Sequence, residues 1–205
     1  FDIMLANNMN DKNPLLLSVI VPAFNEQLGI EEFHAGLSQL LNKNYLHKYE
    51  IIYCDDGSTD NTQSKILQIA KSDNSVKLIR LSRNFGKEIA ITAGIQQARR
   101  QAILSIDADG QHPIELIQQF VDKWPAGAKI VVGKRLTNQE VGFFKNYFSS
   151  VFYKIINSLS GAKLEPGTTD FRLIDKTVQA EFIKLTERNR INRGLIDWLG
   201  YKPAY

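Results

Sequence analysis

The sequence predicts an α/β protein with a single, doubly wound and mostly parallel sheet of the Rossmann-like kind. Short apolar runs of strand length alternate with stretches whose apolar residues recur every three or four positions, and this alternation repeats five times. Strands joined by helical crossovers run parallel, and helices then cover both faces of the sheet. A length of 205 residues suits one domain, which we place at 16–205 after a flexible leader at 1–15.

The predicted strands are apolar runs that end at turn-forming residues. Pro22 is expected to stop the first strand, and Gly57 lies in the turn after the second. A sixth, shorter strand follows a loop late in the chain. The predicted ranges are 16–21, 49–54, 76–81, 102–106, 128–132 and 171–174.

Helices are predicted where apolar residues share one face. The first carries Ile30, Phe33, Leu37, Leu40 and Leu41. Others follow the second and third strands, and further helices are expected at 114–123, 139–160 and 176–187. Residues that favour helix starts precede them, and they are Asn25, Ser58, Thr59, Asp60 and Pro113.

Composition excludes several classes of function. A net charge of +3 without a basic run argues against nucleic-acid binding. The longest apolar stretch, 15–24, has about half the length of a bilayer-spanning helix. The N-terminus does not resemble a signal peptide, and Cys54 is expected to be a buried structural thiol in a reducing compartment.

Three acidic clusters follow predicted strands. They are Asn25-Glu26, Asp55-Asp56 and Asp107-Ala108-Asp109. Ligands of open parallel sheets bind beyond the carboxyl ends of the strands, so these clusters predict one acidic crevice. A phosphorylated ligand fits such a crevice when a divalent cation such as Mg²⁺ or Mn²⁺ lies between it and the carboxylates. The sequence therefore predicts a metal-nucleotide site.

The third cluster has the pattern for a metal site. Asp107 and Asp109 can both approach one cation or one metal-bound diphosphate, and Gln111 adds an oxygen ligand. A solvated acidic turn is the alternative, and His112 before a proline is more typical of a turn than of a ligand. In the second cluster Asp55 and Asp56 can accept hydrogen bonds from a base or a ribose.

Seven segments together resemble a known family. SVIVPAFNE, CDDGSTDNT, RLSRNFGKEIAITAGI, SIDADGQHP, VVGKR, TTDFRLID and RNRINRGLIDWLGY occur in the order and spacing of the family 2 glycosyltransferases. They are most similar to the polyprenyl-phosphate glycosyltransferases, which include dolichol-phosphate mannose synthase and bactoprenol glucosyltransferases. The resemblance covers 18–201 and implies a fold of the GT-A type.

The resemblance implies a role for each matching residue. Asp55 would face the base, Asp109 and Gln111 would ligate Mg²⁺ or Mn²⁺, and Arg135 would meet the sugar diphosphate or the acceptor phosphate. The remaining contacts to the nucleotide-diphosphate sugar are implied for Pro22, Ala23, Glu26, Asp107 and Ala108. A second arginine that many relatives carry after the Arg135 position is missing, and Lys145 is a weak substitute.

The implied reaction is inverting transfer of a sugar, by analogy from a UDP-sugar, to a polyprenyl phosphate. The alternative acceptor is a saccharide hydroxyl, with Asp170 as the base; Asp170 could instead pair with Arg172 or cap its loop. A nucleotide-sugar-binding module without catalysis is a remote alternative. A nicotinamide oxidoreductase is also remote, because the first turn lacks G-x-G-x-x-G.

The resemblance also implies a location and partners. Relatives continue into amphipathic and transmembrane segments, so we expect a catalytic domain that acts in cell wall biogenesis at the cytoplasmic face of a membrane. The aromatic stripe of 139–160 could lie at the membrane surface, although such stripes are more typical of a core. Self-association of the longer protein, as a homo-oligomer, is left open.

Overall fold

A seven-stranded sheet lies at the centre of the part of the chain that the structure, a computed structural model, describes. That part comprises residues 17–45, 49–109, 113–124, 127–134, 168–186 and 191–205. The strands are β1 (Leu17–Ala23), β2 (Tyr49–Asp55), β3 (Val76–Arg80), β4 (Ala102–Ser105), β5 (Ile130–Lys134), β6 (Thr168–Asp175) and β7 (Pro203–Ala204). The helices are α1 (Ile30–Tyr45), α2 (Thr62–Ser72), α3 (Lys87–Gln97), α4 (Leu116–Lys123), α5 (Lys176–Lys184) and α6 (Asn192–Trp198).

The sheet is mostly parallel, as predicted, but one strand interrupts it. The strand order is β3-β2-β1-β4-β6-β5-β7. The pairs of β1 with β2, β1 with β4 and β2 with β3 are parallel, whereas β6 runs antiparallel to both β4 and β5. The fifth strand therefore does not lie beside the fourth, because β6 returns between them. The predicted mostly parallel sheet is confirmed, and the sequence did not indicate the antiparallel place of β6.

Helices cover both faces of the sheet, which confirms the doubly wound architecture. Buried side chains of α1, α2 and α4 pack with one set of strand residues, among them Val19 and Ile51. Buried side chains of α3, α5 and α6 pack with the alternate set, among them Ile20 and Ile52. Strands buried on both faces account for their apolar runs. Cys54 is fully buried among the second set of packed residues, with Ile20 and Ile52, and burial raises the pKa of its thiol.

Pro22 does not stop β1, which continues to Ala23. The last pair between β1 and β4 joins Ile20 to Ser105, so Pro22 lies beyond the end of that ladder. Pro22 stays in register with Cys54 of β2, and its missing N–H falls where the ladder with β4 has ended.

Other element ends also differ from the sequence prediction. α4 begins at Leu116 rather than at 114, and β5 runs from Ile130 to Lys134 rather than over 128–132. The sequence did not predict α6 or β7. The leader and the helix expected at 139–160 lie outside the described residues. In the described ranges no helix is both long and apolar enough to cross a membrane.

Candidate active site

A crevice of about 280 Å³ opens at the carboxyl ends of β1, β2 and β4. All three predicted acidic clusters contribute to its wall. Its lining residues are Pro22, Ala23, Phe24, Glu26, Asp56, Asn84, Gly86, Lys87, Ala90, Asp107, Ala108 and Asp109. The structure thus brings together six of the residues implied by the resemblance, because parallel strands end at the same edge of the sheet.

Asp55 lies beneath this wall and is fully buried at the end of β2. Its Oδ1 accepts a hydrogen bond from the Ser58 N–H at 3.0 Å. Its Oδ2 accepts none among the described residues, and the nearest cation, Arg80 Nε, is 4.0 Å away. A buried carboxylate oxygen without a donor is costly, and a donor from a bound ligand would satisfy it.

Asp56 shapes the crevice through the backbone of the neighbouring loop. Its Oδ1 accepts from the Phe85 N–H at 2.8 Å and its Oδ2 from the Gly86 N–H at 2.9 Å. Gly86 has a φ of +96°, a backbone conformation that residues other than glycine rarely adopt. Asp56 therefore fixes the start of α3, which begins at Lys87.

The residues expected to cap helices instead bind one another across the first two loops. The Asn25 N–H donates to Ser58 Oγ at 3.0 Å, and Asn25 Oδ1 accepts from the Thr59 N–H at 2.9 Å. The Glu26 N–H donates to Thr62 Oγ1 at 2.7 Å. Asn25 has a φ of +57° and precedes α1 by several residues. These bonds hold Glu26 at the crevice, and capping by Asn25, Ser58 and Thr59 was a wrong prediction.

Asp60 comes nearest to the predicted capping role. Its Oδ1 accepts from the Thr62 N–H at 2.9 Å, although the residue at the N-cap of α2 is Asn61, which makes no side-chain cap bond. Its Oδ2 accepts from the Gln27 N–H at 3.2 Å. Asp60 thus joins the first turn of α2 to the loop that carries Glu26.

The crevice is electrostatically negative, as predicted. Burial raises the pKa of Glu26, and the charges of Asp109, Asp60 and Asp107 raise it further. These neighbouring negative charges make the ionised form of Glu26 less stable. A bound cation would relieve this repulsion.

The described residues fit a divalent cation in part. Asp109 is exposed at the crevice and offers the hard carboxylate oxygens that Mg²⁺ and Mn²⁺ prefer. No group of three or more His, Cys, Asp or Glu side chains suited to a metal is found in the ranges that the structure covers. Gln111 and His112 lie outside those ranges. The predicted ligand pair is therefore represented by Asp109 alone.

Lys87 is a site residue that sequence reasoning missed. Its Nζ lies 2.8 Å from Asp107 Oδ2 and 2.9 Å from Asp170 Oδ2. Burial lowers the pKa of Lys87, but the two hydrogen bonds and the charges of both partners outweigh it and raise the pKa. Lysine is unfavourable beside the positive end of a helix dipole, and its place as the first residue of α3 was the signal that could have revealed it.

Asp170 lies on β6 beside the crevice, where its Oδ2 accepts a hydrogen bond from Lys87 of the crevice wall. Burial raises its pKa, but the hydrogen bond and charge of Lys87, with the charges of Arg193 and Arg172, outweigh this and lower it. Arg172 Nη1 forms an ion pair with Asp197 Oδ1 at 3.4 Å. The hydrogen-bond partner of Asp170 is thus Lys87 rather than Arg172. Arg135 and Lys145, the other cations considered, lie outside the described residues.

Comparisons with known proteins agree with this geometry. Residues 18–181 match glycosyl transferase family 2. An uncharacterized glycosyltransferase of Synechocystis sp. is 40% identical over 189 residues, which are 92% of this chain and 59% of that protein. The bactoprenol glucosyl transferase of Shigella phage SfV is 38% identical over 185 residues, 90% of this chain and 60% of that protein. The chain spans about three fifths of the length of these relatives.

Solved structures show the same fold at low sequence identity. A mannosyltransferase from Pyrobaculum calidifontis, in complex with GDP-Man and Mn²⁺, superimposes with a TM-score of 0.62 at 19% identity over 94% of this chain and 55% of that one. Glucosyl-3-phosphoglycerate synthase from Mycobacterium tuberculosis, in complex with UDP, gives a TM-score of 0.55 at 20% identity over 80% of this chain and 57% of that one. The fold is the GT-A type implied by the resemblance, and the chain belongs to glycosyl transferase family 2.

Proposed function

We propose that this protein transfers a sugar from a nucleotide-diphosphate sugar to a polyprenyl phosphate, with inversion at the anomeric carbon. One observation carries the proposal: Lys87 of the crevice wall bonds both Asp107, expected to contact the donor, and Asp170, proposed for the acceptor side. The bactoprenol glucosyl transferase name of several relatives supports a polyprenyl acceptor. By the same analogy a UDP-sugar is the favoured donor.

The donor half of the site rests on buried and half-buried carboxylates. Asp55 Oδ2, which is buried and accepts no hydrogen bond from the described residues, is suited to accept an N–H from the base. Asp107 and the small, buried Ala108 lie where a ribose and a diphosphate would enter the crevice. Asp109 and Gln111 would hold Mg²⁺ or Mn²⁺, and a cation there would stabilise the charge that develops on the departing diphosphate.

The acceptor half needs no strong base when the acceptor is a phosphate. A phosphate monoester is already anionic near neutral pH, so its oxygen can attack the anomeric carbon directly. Positioning and charge stabilisation then dominate, and Arg135 is proposed to contact the sugar diphosphate or the acceptor phosphate. Such an acceptor places the reaction at a membrane surface, and we propose its cytoplasmic face.

A saccharide hydroxyl as the acceptor is the second candidate, and the position of Asp170 beside Lys87 of the crevice wall favours it. A hydroxyl must lose its proton to a base within hydrogen-bond reach. However, an efficient base has a pKa near the working pH, whereas Lys87, Arg193 and Arg172 hold the pKa of Asp170 below its ordinary value. The weak basicity of Asp170 favours the phosphate acceptor.

Transfer assays with defined acceptors test the proposal. Labelled UDP-glucose, UDP-N-acetylglucosamine or GDP-mannose is incubated with Mn²⁺ and either undecaprenyl phosphate in detergent or a panel of saccharides. We expect label in the lipid extract, a product of inverted anomeric configuration by NMR, and no transfer after chelation of the metal. Label on a saccharide only would establish the second candidate. Donor binding without transfer to any acceptor would indicate a nucleotide-sugar-binding module without catalytic activity.

The Asp170→Asn variant separates the two transfer reactions. Transfer to a hydroxyl should collapse in this variant because the base is lost. Transfer to a phosphate should retain measurable activity because only positioning changes. Asp122→Asn, an exposed change on α4, serves as the matched control.

A further inference from the structure

We propose that Lys87 is a positioning residue that joins the donor half of the crevice to its acceptor half. This inference rests on the proposed function, and it assigns a role to a residue that the sequence motifs leave without one. Lys87 Nζ donates to one carboxylate oxygen on each side, Asp107 Oδ2 at 2.8 Å and Asp170 Oδ2 at 2.9 Å. Its bridge would fix Asp170 relative to the bound donor.

The antiparallel insertion of β6 creates the need for this bridge. Ser105 of β4 pairs with Arg172 of β6 in an antiparallel ladder. Continuing that register by two residues along each strand sets Asp107 opposite Asp170. Like charges directly opposite one another on neighbouring strands are destabilising. A cation that bridges the Asp107 and Asp170 carboxylates offsets this repulsion and holds the two side chains at a fixed distance from each other.

Charge in the crevice gives Lys87 a second reason to lie there. The described lining residues include four acids, Glu26, Asp56, Asp107 and Asp109, and Lys87 as their single cation. The proposed reaction brings an anionic diphosphate and an anionic acceptor into this same space. A cation that already neutralises both carboxylates lowers the cost of bringing the anionic acceptor up to the bound donor.

The backbone on both sides of Lys87 is anchored independently of its side chain. The preceding Gly86 N–H donates to Asp56 Oδ2 at 2.9 Å. On the following residue, Glu88 Oε2 accepts from the Asn192 N–H at 2.8 Å and the Glu88 carbonyl from Asn192 Nδ2 at 2.6 Å. The start of α3 is therefore tied to β2 on one side and to α6 on the other. Such supporting contacts hold a functional side chain in one place.

Stability alone does not account for this arrangement. The Lys87 side chain is 41% exposed, and ion pairs accessible to water contribute little to folding. A purely structural lysine would therefore be replaceable with little effect on either folding or activity. A positioning lysine would be replaceable for folding and for donor binding, but not for turnover.

Kinetics of Lys87→Met, Lys87→Gln and Lys87→Arg test the inference. In the assay with undecaprenyl phosphate we expect kcat to fall about 10- to 100-fold in the Met and Gln variants, the size of effect that misplacement of reacting groups can produce. The Kd for the nucleotide sugar with Mn²⁺, from calorimetry, should change by less than about threefold, since that binding depends on other residues. Lys87→Arg should recover part of kcat, because a guanidinium can also bridge two carboxylates.

Two controls separate this idea from general damage. Lys71→Met changes an exposed lysine in the last turn of α2, at the opposite edge of the sheet, and should leave kcat and Kd unchanged. Thermal unfolding of each variant reports folding. If Lys87→Met does not fold, the Gln and Arg variants decide the matter, since both keep a hydrogen-bond donor.

A double-mutant cycle gives the sharpest outcome. If Lys87 acts by positioning Asp170, its replacement should lower kcat far less in an Asp170→Asn background than in the wild type. Full additivity would overturn the inference, as would a kcat within twofold of wild type in Lys87→Gln. A loss confined to donor Kd would also overturn it. Absence of transfer by the wild type would instead contradict the proposed function.

Discussion

Replacement of Asp55 by asparagine separates nucleotide binding from folding stability. The change is nearly isosteric, and the amide oxygen of asparagine can still accept the hydrogen bond that the Ser58 N–H makes to Oδ1 at 3.0 Å. The other atom becomes an N–H₂ group. In the wild type this atom is Oδ2, which accepts no hydrogen bond within the described ranges. Asp55→Asn therefore removes little that the protein itself uses.

The expected loss of stability can be bounded from the contacts of Oδ2. Its ion pair with Arg80 Nε spans 4.0 Å, and the Arg80 side chain is 51% exposed. Although Asp55 is fully buried, the pair spans 4.0 Å to a half-exposed cation and includes no hydrogen bond within the described ranges, so we expect it to contribute about 1 kcal/mol. The free energy of unfolding should therefore fall by about 1 kcal/mol at most, which corresponds to a shift in Tm of about 2–4 °C.

The expected loss of nucleotide affinity is larger. If Oδ2 accepts an N–H of the base, the variant places a donor against a donor, and the lost charge-assisted hydrogen bond costs about 1.5–3 kcal/mol. The Kd for UDP with Mn²⁺ should then rise about 10- to 150-fold. Pyrophosphate, which lacks the base, should bind as it does to the wild type.

Calorimetry with both ligands, together with thermal unfolding, checks this reasoning. Asp122→Asn on the surface of α4 is the control, and it should change neither measurement. An unchanged Kd for UDP would refute the role of Asp55 in binding the base. Equal losses for UDP and pyrophosphate would also refute it, since they would indicate a general distortion of the crevice.

Three further predictions concern the supports of the site. Gly57→Ala, in the turn after β2, should lower the free energy of unfolding by roughly 2 kcal/mol or more, because φ is +71° and an added Cβ would lie 2.4 Å from the Arg83 carbonyl carbon. A denaturant titration that shows no loss of stability would contradict this. Gly94→Ala should cost about 1–3 kcal/mol by overpacking α3 on β1, whereas Gly29→Ala, with no atom within 4 Å of its Cβ, should cost little; equal costs would argue against the close approach. For Asp175, burial raises the pKa, but hydrogen bonds at the start of α5 lower it to about 2 from 3.8. The contribution of ionised Asp175 to the free energy of unfolding should therefore be present above pH 3.8 and be lost as the pH falls toward 2. In Asp175→Asn the free energy of unfolding, measured by denaturant titration, should change less with pH over this range.

The donor side of the crevice could be predicted well because its geometry follows from local patterns. The apolar runs before Glu26, Asp55 and Asp107 identify strands, and parallel strands joined by helices must end at one edge. The crevice lining includes Glu26 and Asp107, and Asp55 is fully buried at the end of β2. Errors on this side concern caps. Ser58 and Thr59 are typical of helix starts, but here they bind a loop more than thirty residues earlier, which no local pattern shows.

By itself, the sequence determined the fold class, the acidic character of the crevice and most of the acidic residues of its wall. Only the tertiary structure decided where β6 lies. An apolar run of strand length predicts a strand, but it does not indicate which strands will lie beside it or whether it will run parallel to them. Both depend on pairing between segments that are distant in the sequence. That pairing places β6 next to β4, and Lys87 of α3 then bonds both Asp107, which follows β4, and Asp170 of β6. The contact between the two halves of the site is therefore a property of the assembled sheet.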